Sequence, residues 1–481
     1  MKKIDVLIVG AGISGIGAAC HIKQNCPDKT FSVLEARQAI GGTWDFFRYP
    51  GIRSDSDMYT MGYSFKPWID DKALADGESI RNYICEAAEE NNIDQHLLTG
   101  HRVQAAHWHS NSACWHVDVL VLASNEVVQY QCGFLYFCTG YYDYENPYMP
   151  EFKGSENFSG EIVHPQHWSQ EIDYSNKKVV VIGSGATAVT LVPAMATTAA
   201  HVTMLQRSPS YVLSVDEVDA LSAWLRRFAP DKLTYAITRW KNILMSMLVF
   251  QVSTRKPSWA KAVVRKGLVK LLGEQYDIGK HFTPSYEPWD QRLCMVPDGD
   301  LFHAINDGSA SVVTDHVDHF TPTGIQLKSG EHIDADLVVT ATGLTIKLFD
   351  GIAITVDGEP VVVPEKTIYR GLMLSDVPNF AFTVGYTNAS WTLKADLAAD
   401  FITRVLNYMQ TNNYQQCCPR ETSGEINNKP MMTLKSGYVE RAAGSFPNEG
   451  GKAPWKMYQN YILDKLTFKL ASLKDGTMEF K

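Results

Sequence analysis

The first apolar run is short and almost unbroken: Ile4 to Val9, with Asp5 its single polar residue. A glycine-rich turn follows, Gly10-Ala11-Gly12-Ile13-Ser14-Gly15. Ile16 to Lys23 then has helical character, and Thr30 to Leu34 is strand-like again, ending at Glu35. A continuous run of this length between turn signals predicts a buried strand, and strand, turn, helix, strand predicts a parallel pair joined by a helical crossover. The same grammar returns at Lys178 to Ile182, followed by Gly183-Ser184-Gly185-Ala186-Thr187-Ala188, a helix through Met195, and a strand from His201 to Arg207. The chain therefore carries two βαβ nucleotide-binding units and no short-period repeat.

Between residues 219 and 283 the pattern changes. Trp224, Tyr235, Trp240, Phe250 and Trp259 recur among apolar residues at helical spacing, with charges that are mostly basic. Strand character resumes at Val312 to Thr314, Gly324 to Leu327 and Ala335 to Thr340, and Ala341-Thr342-Gly343 closes the last run. A further long helix is expected over 393–411, then a polar, loop-rich stretch around 415–455. The expected fold class is α/β, with two Rossmann-like dinucleotide-binding domains. Residues 1–150 and 345–481 make the first, discontinuous domain. Residues 151–344 make the second, with a helical insertion at about 215–285.

Composition narrows the function classes. The 481 residues are 45% hydrophobic and 20% charged, as in a folded chain of about three average domains. A net charge of −9 argues against a nucleic-acid partner, because neutralising phosphates needs a basic surface. The nine cysteines contain no C-x-x-C pair, so neither a zinc knuckle nor a dithiol redox centre is readable, and no metal is expected. Buried thiols in a reducing cytosol are expected, hence a cytoplasmic location. No apolar run reaches the ~18–20 residues of a membrane span, and a secretory signal ahead of the first strand is not expected. The basic helical insertion is a candidate for weak contact with acidic lipid headgroups.

The two glycine turns lead to strands with different ends. Gly10, Gly12 and Gly15 complete G-x-G-x-x-G, with Ser14 inside it, and Glu35 closes the next strand, where a carboxylate accepts bonds from ribose hydroxyls. In the second unit Gly183, Ser184, Gly185, Ala186, Thr187 and Ala188 form the turn, and Arg207-Ser208 stand where the acid would be. A carboxylate there would repel a 2′-phosphate, whereas guanidinium and hydroxyl bind one. The first unit thus suits FAD and the second NADPH.

Several further motifs lie in order. Gly41-Gly42-Thr43-Trp44 precedes FRYPGIRSDSDMY at 47–59, and Phe158, Gly160, His164 and Trp168 satisfy F-x-G-x-x-x-H-x-x-x-W. Later come PWDQRLC at 288–294 and VGYTNASWTLKADL at 384–397. Over nearly its whole length the chain resembles the type I Baeyer–Villiger flavin monooxygenases, and among them the mycobacterial ethionamide-activating subgroup. Ser169 stands where the family fingerprint ends in Pro or Asp, and Gln291 where many members carry Lys, removing one cation near the NADPH phosphate.

The resemblance implies an enzyme that inserts one oxygen atom of O2 into ketones, giving esters or lactones, and oxygenates sulfides or thioamides, through a C4a-peroxyflavin. It makes Arg292 the cation beside the flavin and Asp55 its orienting carboxylate. It adds Gly42, Thr43, Trp44, Arg53 and Val103 to the cofactor-binding residues. His164 and Trp168, in a linker between the units, would couple domain position to NADP binding, and Trp391 would either approach the flavin or sit in the core. The competing readings are an N- or S-oxygenating flavin monooxygenase without useful ketone activity, a disulfide reductase, which the missing C-x-x-C disfavours, and a non-enzymatic redox sensor. Substrate identity and oligomeric state stay open.

Overall fold

The computed structural model describes residues 2–421 and 429–481. Lys2–Val9 is the first strand, buried in its second half, and α1 (Ile13–Asn25) springs directly from the glycine turn. Phe31–Leu34 pairs in parallel with the first strand on one side, and Glu126–Phe137 does so on the other. The sheet they centre has nine strands. Cys114–Val121 and His101–His109 extend it antiparallel, while Ala353–Val356 and Phe380–Phe382 return from late in the chain to add parallel partners.

The second sheet has five strands, ordered Ala310–Thr314, His201–Gln206, Lys178–Ile182, Leu337–Thr340 and Glu161–Val163, all parallel. Its first crossover helix is α2 (Ala186–Ala196). This is the mixed α/β architecture expected, with one parallel-centred sheet behind each glycine turn. The fingerprint segment starts within the second unit: Glu161–Val163 is an edge strand in register with Leu337–Val339, and Phe158 packs on Phe320. A strand of three residues is too short for its periodicity to be read.

The apolar segment after residue 219 becomes Ala220–Leu225, α3 (Asp231–Arg255), α4 (Pro257–Leu272) and Ile278–His281. It leaves and re-enters at one place, because Val212–Val215 pairs in parallel with Cys294–Pro297. Helix α5 (Trp391–Thr411) packs along α1 in the first core, joined by α6 (Tyr461–Leu470). Phe47 and Tyr49, although early in the chain, are buried in the core of the second unit. Gly51, at φ +73°, lies so close to α2 that a Cβ there would stand 2.6 Å from that of Ala194. The residues from Phe47 to Gly51 therefore strap one unit to the other.

Candidate active site

A cavity of about 390 Å³ opens at the carboxyl end of the first strand. Gly10, Gly12, Ser14 and Glu35 line it from the first βαβ unit, Gly42, Thr43 and Trp44 from the next turn, and Asp55, Val103 and Arg292 from further loops. Gly10 has φ +99°, and any Cβ would sit 2.6 Å from the Cys138 carbonyl oxygen, so only glycine leaves this backbone against the cavity. Gly15 lies one turn inside α1, its missing side chain leaving room for the Gly10 carbonyl. The backbone donors at the start of α1 thus face open space, which suits a pyrophosphate.

Glu35 is buried and oriented by backbone. Its Oε2 accepts from Ala11 N at 2.7 Å and its Oε1 from Arg37 N at 2.9 Å. Burial pushes the carboxyl pKa up, against the pull of these two bonds. Arg37 in turn reaches Asp45 at 2.5 Å. Glu35 lines the cavity with lone pairs left to accept from a ribose hydroxyl, so the residues present fit the adenosine half of a dinucleotide.

An ion pair also lines the cavity. Arg292 Nη1 donates to Asp55 Oδ2 at 3.4 Å, and both side chains are partly exposed to the cavity. The Asp55 carboxylate raises the arginine pKa further, which keeps the guanidinium charged at every working pH. Arg292 stands two residues before the strand that pairs with Val212–Val215, and Cys294 N donates to the Tyr211 carbonyl at 2.9 Å. Just upstream, Trp289 holds φ +73°, uncommon for a bulky residue and a local strain beside a charged loop. Asp290 pins this loop from the tail by pairing with Lys435 at 3.0 Å.

Trp391, undecided in the sequence, lines the cavity, and its Nε1 donates to Ser14 Oγ at 2.7 Å. Tyr141, missed by sequence reading, lies against its ring at 5.3 Å between centroids. Nothing in their spacing signals this: the placement of α5 against α1 brings Trp391 to Ser14, and Tyr141 arrives from the loop after the strand Glu126–Phe137. Arg53 is not brought to the cavity. It forms a two-armed pair with Asp300, 2.5 and 3.3 Å, between the two units.

The second turn forms a separate, open site. Gly185 and Ala186 are exposed, Thr187 is half-buried, and Ala188 is buried beneath them. Gly183 N donates to the Leu205 carbonyl at 2.9 Å, and Ser184 Oγ donates to the Ser208 carbonyl at 3.0 Å. These bonds hold Arg207 and Ser208, both exposed, beside the turn. His164 is buried; its Nδ1 accepts from Gln166 N at 3.1 Å, and its Nε2 has no partner among the described residues. Burial lowers its pKa, which favours the neutral ring.

The described residues contain no cluster that could hold a metal ion, and all nine cysteines are free thiols. Cys138 lines the cavity, but burial pushes its thiol up to about 12, leaving no thiolate for disulfide chemistry. A family model described as pyridine nucleotide-disulphide oxidoreductase matches residues 7–246. The FAD-containing monooxygenase EthA of Mycolicibacterium smegmatis is 48% identical over 480 residues, 100% of this chain and 97% of the relative. The probable FAD-binding monooxygenase AlmA of Acinetobacter baylyi is 48% identical over 481 residues, 100% of this chain and 96% of the relative. An oxidized steroid monooxygenase bound to NADP shares the fold at TM-score 0.80 and 20% identity, with 100% of this chain and 99% of that one covered. Near half identity from end to end, on a chain with a glycine-cradled cavity and no thiolate pair, places this protein in the family of FAD-containing monooxygenases.

Proposed function

We propose that the chain is an FAD- and NADPH-dependent Baeyer–Villiger monooxygenase that converts ketones to esters or lactones and also oxygenates sulfides and thioamides. Residues 1–150 and 345–481 hold FAD, residues 151–344 hold NADP, and the segment at about 215–285 is an insertion in the second domain. The location is cytoplasmic, in keeping with the free thiols. When bound, the flavin accepts hydride from the nicotinamide and supplies activated oxygen. Gly10 and Gly12 let the pyrophosphate approach the backbone, and Glu35 holds the ribose. Arg207 and Ser208 take the 2′-phosphate. Asp55 orients Arg292, whose fixed charge stabilises the anion that forms during oxygen transfer.

The observation that carries this reading is the Arg292–Asp55 pair lining the same cavity as Glu35 and the first glycine turn. An anion held by preorganised charge gains ~3 kcal/mol, over a hundredfold in rate. The test is product formed per NADPH consumed, with one linear ketone and one thioether. Arg292→Ala should keep its flavin and oxidise NADPH slowly, while releasing hydrogen peroxide and almost no ester. Arg292→Lys should recover little, since an ammonium lacks the planar fork. An unchanged ratio in Arg292→Ala would remove the assignment, and thioether product without any ester from the unmodified protein would leave an S-oxygenating enzyme.

A further inference from the structure

The largest unexplained feature is on the outside. Leu233, Ile237, Trp240, Leu244 and Leu248 recur every three or four residues along α3, and each is 40–57% exposed. The opposite stripe, Tyr235, Arg239 and Ile243, is buried. Helix α6 continues the outer stripe: Lys465 Nζ sits 4.4 Å over the Trp240 ring, Tyr461 packs on the same ring, and Leu463, Leu466 and Leu470 are exposed beyond them. On α4, Trp259 and Val263 share one face with Lys266 and Lys270, by the 3.6-residue period. An exposed apolar stripe that runs from α3 onto α6, with further exposed apolar residues on α4, marks an interaction site.

Charge identifies the occupant. Between residues 220 and 272 eleven Lys and Arg accompany a single acid, Asp231, in a chain whose net charge is −9. Arg239 is buried, and Arg226, Lys241 and Lys261 pair with acids from elsewhere. Among the described residues, the other seven, Arg227, Lys232, Arg255, Lys256, Arg265, Lys266 and Lys270, form no ion pair. A second copy docked by two-fold symmetry would set this cationic face against itself. An apolar stripe rimmed by free cations instead matches an anionic bilayer surface, with side chains at the acyl boundary and ammonium groups among phosphates. No helix among the described residues is long and apolar enough to cross a membrane.

We propose that the face formed by α3, α4 and α6 docks the protein on anionic lipid bilayers, lying in the interface without spanning it. Binding is read without turnover, so this proposal stands or falls apart from the oxygenase reading. The full-length flavoprotein is floated with vesicles of phosphatidylcholine alone or with about a third phosphatidylglycerol. Binding to the anionic vesicles should be at least tenfold tighter and should weaken in high salt. Leu244→Ser with Leu248→Ser should lower it tenfold or more at an unchanged melting temperature, since both side chains are already in water. Lys256→Glu with Lys266→Glu and Lys270→Glu should abolish the preference for the anionic vesicles. Failure of the unmodified protein to float overturns the proposal. So does an oligomer in solution that Leu244→Ser with Leu248→Ser dissociates without any vesicle binding, which would make the face a contact between copies.

Discussion

Arg207 and Ser208 are exposed beside the second glycine turn, with Ser184 holding the Ser208 backbone, and on the proposed reading a ligand phosphate would meet the guanidinium there. Arg207→Ala should weaken NADPH by about 1.5–3 kcal/mol, roughly ten- to a hundredfold, with little effect on NADH. Equal losses in titrations with the two coenzymes would make the residue structural. Gln291 adds no cation, so some NADH use by the unmodified protein is expected. His164 poses a different question. Its folded pKa lies below the unfolded value of about 6.5, so the unfolded chain takes up the proton first as pH falls. The stability it contributes is complete above that value and declines as pH drops through it toward the folded pKa. Melting curves from pH 7.5 to 5 should therefore be steeper for the unmodified protein than for His164→Gln; identical slopes would count against a buried neutral ring. Asp55 and Arg292 are legible in sequence because their motifs are ordered and specific. Trp391 and Tyr141 are not, because their meeting depends on how two distant elements pack.

Helix α3 shows how far a pattern can be read at the scale of an element. Its apolar and basic composition predicts an amphipathic helix, and the helix is there, but the sequence treats all its cations alike. Arg239 is in fact an internal anchor: Nη1 donates to the carbonyls of Tyr59 and Gly62, each at 2.7 Å, and Nη2 lies 3.6 Å from Asp396. Asp396 also meets His21 at 3.4 Å and accepts from Ser64 N at 2.8 Å, so one buried cluster joins α1, α3 and α5. Removing one partner leaves the others desolvated. Arg239→Met should cost about 3–5 kcal/mol, read as a lower urea midpoint. A loss under ~1 kcal/mol would mean that water replaces the guanidinium. Helix ends are read less well than helices: α1 and α5 each begin earlier than their hydrophobic spacing indicates, because glycine or serine precedes the first apolar position.

Across the whole molecule, the two units are joined by the strap from Phe47 to Gly51 and by the Arg53–Asp300 pair, whose partners lie 247 residues apart. The existence of two units is plain from two glycine turns, whereas their joint is invisible to periodicity, since a strap is neither helix nor strand. Both side chains of the pair are largely withdrawn from water, with 13% and 31% exposed, so the contact is more than a surface ion pair. It ties the helix that begins at Asp300, in the second unit, to the segment just after the strap. Arg53→Met should therefore leave flavin content unchanged, because the cavity lining does not include Arg53. It should slow reduction of the bound flavin by NADPH, and lower the stability by about 1–3 kcal/mol. Asp300 also accepts from Leu301 N at the start of its helix, so Asp300→Leu alone removes two interactions. The double-mutant cycle separates them: a coupling of ~1 kcal/mol or more in melting, matched by non-additive losses in the reduction rate, assigns the effect to the joint. Additive losses with an unchanged reduction rate would leave Arg53 a local packing residue, and the strap alone would have to align the two sites.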